Sequence, residues 1–119
     1  MELAALPAFA DNYIWMLHDG REALVVDPGE AAPVIETLQR LELKLTGILV
    51  THHHGDHIGG LRELHAHLRG PVFAPATEDI PGPTVPVREG DKLTWNGLGF
   101  EAIDVPGHTA RHRAYWGAP

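Results

Sequence analysis

The run Gly47-Ile48-Leu49-Val50-Thr51 limits what this chain can fold into more than any other stretch. It is apolar without polar alternation, so the strand it predicts needs cover on both faces. Helical periodicity on either side supplies that cover. Pro33 stands where a helix favours a first-turn proline, and Val34, Leu38 and Leu41 recur at helical spacing with Glu36, Gln39 and Arg40 opposite. Leu61, Leu64 and Leu68 share one face of a second predicted helix that ends at Gly70. The expected fold class is α/β.

Shorter β signals surround this unit. Residues 3–6, 13–17 and 23–27 are apolar runs, the last stopped by Pro28-Gly29, and Asp19-Gly20 marks a hairpin between the second and third. Past Gly70 come a short strand at 72–74 and a proline-rich surface loop over 75–86. Two strands, 92–95 and 100–105, flank Asn96-Gly97, a strong hairpin signal. Ala114-Tyr115-Trp116 opens a further strand. With 119 residues and neither repeat nor low-complexity linker, the expectation is one domain over residues 1–119.

Composition narrows the function. Zero cysteines exclude a disulfide scaffold, a thiolate metal site and a cysteine nucleophile. A net charge of −7 argues against nucleic acid as partner. No apolar run approaches the ~18 residues of a membrane span, and Met1-Glu2-Leu3 lacks the basic start of a signal peptide, which predicts a cytoplasmic location. The surplus is histidine, with nine residues.

Four of the nine fall in Thr51-His52-His53-His54-Gly55-Asp56-His57. This stretch follows the buried strand and precedes a helix, so it lies at a strand's carboxyl edge, where open α/β sheets place ligand sites. Two residues apart in extended chain, His52 and His54 point the same way and His53 the other. Beyond the turn, Asp56 and His57 offer an oxygen and a nitrogen to a second position. Imidazole and carboxylate suit a divalent ion such as Zn²⁺. Two ions ~3.5–4 Å apart activate water for attack on a carbonyl. Gly59-Gly60 lets the backbone turn tightly beneath such a site. His108, in Pro106-Gly107-His108-Thr109, would be presented from another edge and join it.

The remaining histidines read differently. His65 and His67 take structural or solvent roles, and His18, before a turn, is expected to be exposed. His112 either supports His108 or does nothing. Asp27 is either a turn residue or a carboxylate that orients the histidine stretch, and Asp11-Asn12-Tyr13 reads as a turn.

His52-His53-His54-Gly55-Asp56-His57 resembles the HxHxDH signature of metallo-β-lactamase-fold hydrolases. Leu6-Pro7-Ala8-Phe9-Ala10-Asp11-Asn12-Tyr13, the full 51–60 stretch THHHGDHIGG and Pro106-Gly107-His108-Thr109 narrow the resemblance to the glyoxalase II (hydroxyacylglutathione hydrolase) family. It covers essentially the whole chain. The resemblance implies a four-layer αββα sandwich, of which this chain is similar to the N-terminal half. It implies His52, His54 and His108 on one metal ion, with Asp56 and His57 on a second, Asp56 being catalytic. Zinc is the metal implied, with iron or manganese as substitutes. The implied reaction is hydrolysis of S-D-lactoylglutathione to D-lactate and glutathione. The family's bridging aspartate and last histidine ligand belong to positions past Pro119. Arg111 and Arg113 depart from its pattern, which has glycine and an apolar residue there. Two alternatives stand beside this reading: a persulfide dioxygenase-like iron enzyme of the same fold, and a non-catalytic half-domain.

A half-sandwich leaves an inner sheet face to cover, expected here to include Ile48, Val50 and Ile103. At about 25 cal/mol per Å², the burial lost would be on the order of ten kcal/mol, comparable to a domain's stability. Self-association through that face, or poor folding, is therefore expected of the chain alone, along with little hydrolase activity.

Overall fold

The computed structural model describes residues 2–8, 12–50, 60–75, 84–88, 90–104 and 113–118; in 7–8, 12–13, 102–104 and 113–118 it describes the backbone. Strands β1 (Glu2–Ala8), β2 (Asn12–His18) and β3 (Glu22–Val26) lead into helix α1 (Ala32–Leu41) and strand β4 (Lys44–Leu49). Helix α2 (Leu61–Leu64) and strands β5 (Val72–Pro75) and β6 (Val85–Val87) follow. Strands β7 (Lys92–Trp95), β8 (Leu98–Asp104) and β9 (Arg113–Ala118) come last.

Strands β1 to β6 form one sheet in sequence order. Its first pairings, β1 with β2 and β2 with β3, are antiparallel, and β3 to β6 run parallel. The helices cover one face of this sheet, over its parallel strands and over β1 and β2 as well. β7 to β9 form a second, antiparallel sheet.

Side-chain alternation divides the core in two. Val25 of β3, Leu45 and Ile48 of β4 and Val50 meet Val34 and Leu38 of α1 and Leu61 and Leu64 of α2. The opposite face gives Leu24 and Leu49, which meet Val87, Leu93 and Trp95 between the sheets. The described layers are therefore helix, sheet, sheet.

Several expectations need correction. Ile48 and Val50 are fully buried against the helices, not on the inner face. The inner face takes Leu49, which lies between them, with Leu24 of β3, and β7 and β8 already cover part of it. Ile103's side chain lies outside those described.

The second helix is a single α-helical turn. Past His65, N–H groups reach back three residues, from Ala66 to Glu63, His67 to Leu64 and Leu68 to His65, so the coil tightens. It ends early because Leu68 pairs with Leu45 and the Arg69 N–H donates to the Leu45 carbonyl at 2.8 Å. In α1, Leu41 is 40% exposed, and Thr37 takes the buried place, its hydroxyl donating to the Pro33 carbonyl at 2.8 Å. The 75–86 stretch is not loop throughout, since it runs into β6, an edge strand where Pro86 is tolerated. His18 is 7% exposed, with Nε2 3.6 Å from a Glu2 carboxylate oxygen.

Candidate metal centre

The carboxyl ends of β3, β4 and β5 are cross-linked by backbone hydrogen bonds that run past the strands themselves. The Asp27 N–H donates to the Leu49 carbonyl at 2.9 Å, and the Val50 N–H to the Phe73 carbonyl at 2.8 Å. Val50 is fully buried. The residue after it, Thr51, opens the histidine stretch.

Asp27 itself is in left-handed backbone, at φ 49°, a conformation aspartate tolerates better than most residues. Its carbonyl accepts from Gly29 at 2.9 Å, which wraps the chain around buried Pro28. The Pro28 carbonyl then accepts the Gly60 N–H, also at 2.9 Å. The two residues that flank 51–59 are thus held, Val50 through the sheet and Gly60 through the turn that closes β3. A Cβ on Gly60 would lie 2.5 Å from the Ala31 nitrogen and the Glu30 carbonyl carbon. Only glycine allows the two backbones to meet there. The turn reading of Asp27 holds, since its backbone makes the turn that receives Gly60.

The second sheet is fixed against the first at the far end. Trp95 Nε1 donates to Thr46 Oγ1 at 2.9 Å, and its ring lies over Gly47, where a Cβ would come within 3.2 Å of it. Asn96 Nδ2 donates to Asp19 Oδ2 at 3.1 Å, which joins the β7–β8 turn to the β2–β3 turn. Asp19 Oδ1 also accepts the Glu22 and Arg21 N–H groups at 2.8 and 2.9 Å. Those two backbone donors, Glu22 the stronger, hold the Asp19 carboxyl below the usual carboxylate range. From this fixed turn β8 runs on to Asp104, which pairs with Arg113 of β9. These cross-sheet ties were not part of the sequence reading, in which Asn96-Gly97 signalled only a hairpin.

His52, His54, Asp56 and His57 lie outside the described residues, as do His53, His108 and His112. Among the described residues no three His, Asp or Glu side chains gather into a metal-binding group. His67 is exposed, and His65 is half-buried with its Nε2 enclosed and without a hydrogen-bond partner. The exposure of His67 and the partial burial of His65 are compatible with the solvent and structural roles expected of them.

A helix-covered sheet, partly parallel, a second sheet packed on it, and a histidine stretch at the carboxyl edge of β4 define the class. The chain belongs to the metallo-β-lactamase superfamily, whose family model matches residues 9–112. Among curated proteins it is 57% identical over 116 residues to a hydroxyacylglutathione hydrolase of Albidiferax ferrireducens, a match covering 98% of this chain and 46% of the relative. A protein of the same name from Methylobacillus flagellatus is 52% identical, again over 98% of this chain and 47% of the relative. The chain thus spans about half the length of the curated relatives it matches. Among solved structures, ETHE1 from Myxococcus xanthus superposes with a TM-score of 0.79 at 26% identity, over 98% of this chain and 54% of that one. A metallo-β-lactamase from Staphylococcus aureus gives a TM-score of 0.81 at 19% identity, over 99% and 38%, a likeness of fold alone.

Proposed function

We propose that this chain supplies the metal-binding part of a hydroxyacylglutathione hydrolase, a thioester hydrolase that converts S-D-lactoylglutathione and water to D-lactate and glutathione. The observation that carries the reading is the anchoring of the residues that flank the histidine stretch, Val50 to Phe73 of β5 and Gly60 to Pro28 in the turn that closes β3. Relatives of that name at 47–57% identity support it, and favour it over the dioxygenase alternative.

In this reading His52, His54 and His108 hold one divalent ion, and Asp56 and His57 hold a second. Four imidazoles and one carboxylate are a donor set that fits zinc, with iron or manganese as substitutes. Bound there, such ions polarise the thioester carbonyl and make water a nucleophile at neutral pH. The residues' own work is positional and electrostatic. The imidazoles must be neutral to bind, so affinity falls in acid. Asp56 brings the negative charge of the set. The leaving thiol, with a pKa of ~8.5, departs without a dedicated acid residue.

The substrate partner is a glutathione thioester, with no role for nucleic acid or a membrane. Among the described residues no helix is long and apolar enough to cross a membrane. A cytoplasmic setting suits the reading, since glutathione maintains the reduced state of that compartment.

The test uses a protein of the relatives' length that carries these residues. D56A is expected to lower lactoylglutathione hydrolysis, followed as thiol release, by orders of magnitude while the circular dichroism spectrum stays unchanged. Near-normal turnover in that variant, with both metal ions still bound by elemental analysis, would sink the assignment. Oxygen uptake with a persulfide substrate in place of thioester hydrolysis would favour the dioxygenase.

A further inference from the structure

Asn96-Gly97 closes the β7–β8 hairpin between the paired residues Trp95 and Leu98, and both turn residues are exposed. Asparagine followed by glycine is also chemically labile. Glycine has no side chain to shield its nitrogen, and a Cβ built on Gly97 would meet nothing within 4 Å. Once hydroxide has taken its proton, the Gly97 nitrogen can attack Cγ of the Asn96 amide. The new N–Cγ bond closes a five-membered imide while the Cγ–Nδ2 bond breaks, and ammonia leaves with a proton returned by water. A second water opens the imide at either carbonyl, which leaves aspartate or isoaspartate at position 96. The other asparagine, Asn12, precedes Tyr13, whose bulk hinders the same attack.

The folded turn opposes that attack. Asn96 and Gly97 have φ of 48° and 84°, the left-handed pair of a two-residue hairpin turn. With ψ about +47°, as that region has, the Gly97 nitrogen stands anti to the Asn96 Cβ. The imide ring closes only after the peptide between them has rotated by roughly half a turn, and that rotation undoes the hairpin turn. Against it stands a side-chain tie from the β2–β3 turn, Asn96 Nδ2 donating to Asp19 Oδ2 at 3.1 Å. Asp19 is itself held, since its Oδ1 accepts the Glu22 and Arg21 N–H groups at 2.8 and 2.9 Å. The nitrogen that would leave as ammonia is the one that Asp19 grips.

We propose that Asn96 is a site of spontaneous deamidation whose rate Asp19 governs by holding the turn closed, and that the change releases the second sheet's turn for good. Aspartate at 96 has no donor to offer Asp19, and two carboxylates at that spacing repel each other. The product therefore parts the β7–β8 turn from the β2–β3 turn and cannot re-form the tie. Isoaspartate adds a main-chain atom besides, which a two-residue turn does not accommodate. Neither step involves the histidine stretch, so the site stands whether or not the hydrolase reading does.

The experiment incubates the 119-residue chain and its D19A variant in mildly alkaline buffer, folded and in urea, and follows tryptic peptides by mass spectrometry. Deamidation raises the mass of peptide 93–111 by about one unit, whereas isomerisation at Asp19-Gly20 leaves every mass unchanged. The folded parent is expected to gain that unit at Asn96, at least fivefold more slowly than in urea. Folded D19A should gain it at least threefold faster than the folded parent, and in urea the two rates should agree. Should D19A fail to fold, D19S takes its place, because its hydroxyl still accepts a turn N–H but falls short of Asn96. Urea midpoints give the second readout. N96D should lie below N96A while Asp19 is present, and the gap should close when Asp19 is replaced. No mass gain in the folded parent, equal folded rates with and without Asp19, or an N96D no less stable than N96A would overturn the proposal.

Discussion

Gly60 sits where two backbones meet with no room for a side chain. Its N–H holds the Pro28 carbonyl at 2.9 Å, and the atoms a Cβ would strike, 2.5 Å away, belong to the main chain of Glu30 and Ala31. Main chain cannot swing aside as a side-chain tip can, so G60A must push the start of α2 off the turn. Overpacking of this kind costs about 1–3 kcal/mol. We expect G60A to lower the urea midpoint by a corresponding amount and to weaken metal binding, because one of the two held residues that flank 51–59 shifts with it. Unchanged stability and zinc affinity would show that the contact at Gly60 does not position the stretch. The metal chemistry proposed for this stretch rests on the sequence, where imidazoles and a carboxylate crowd together in residues outside the described ones. The anchoring was only half legible. Gly59-Gly60 suggested a tight turn, but the carbonyl it turns onto is thirty-two residues away in the sequence, at Pro28.

Among the elements, those with a strong local period were the readable ones. The α1 stripe at Val34 and Leu38 and the hairpin at Asn96-Gly97 form where the sequence puts them, and the apolar run at 47–51 does contain a strand, though β4 begins earlier, at Lys44, and ends at Leu49. Asn96 and Gly97 both take positive φ, 48° and 84°, as a two-residue turn between twisted strands demands. The misreadings arose where tertiary pairing overrode period. α2 stops after one turn because Leu68 is drawn beside Leu45, and β6 extends the sheet next to β5 despite its proline. Neither partner is visible in a local window. The tie between Asp19 and Asn96 is likewise non-local, and it carries a pH signature. The folded carboxyl titrates below its ordinary value near 3.8, with the Glu22 N–H the main cause and the Arg21 N–H next. A depressed carboxylate contributes stability above its unfolded pKa and loses it as pH falls through the folded one. We expect the difference in Tm between the parent chain and D19A to be constant above roughly pH 5 and to shrink below roughly pH 4. A difference that persists undiminished in acid would mean that the ionised carboxylate is not what closes the β2–β3 turn.

At the scale of the whole molecule, the inner face of the large sheet is covered unequally. Over β3 and β4, Leu24 and Leu49 lie beneath Leu93 and Trp95 and are buried. Over β1 and β2 the cover gives out. Leu3 is 61% and Trp15 46% exposed, while Ala4, Leu6, Ile14 and Met16 on the other face pack with the helix-side core. The register sets Leu3 opposite Leu17 and Ala5 opposite Trp15, so these side chains make one apolar strip beside the second sheet. The strip is smaller than a bare half-sandwich would leave, because Ile48 and Val50 never faced that side. Wholesale unfolding therefore no longer follows, whereas association does, as contiguous exposed apolar surface favours burial against another copy. We expect the purified chain to sediment faster as its concentration rises. We expect L3T/W15T to remain monomeric over the same range, with thermal stability little changed because both positions are at the surface. Threonine keeps the β-propensity of the two strands, so a loss of association would come from the removed apolar area and not from a frayed edge. A parent chain that stays monomeric throughout, or a variant that associates just as well, would show that this strip is not where copies meet.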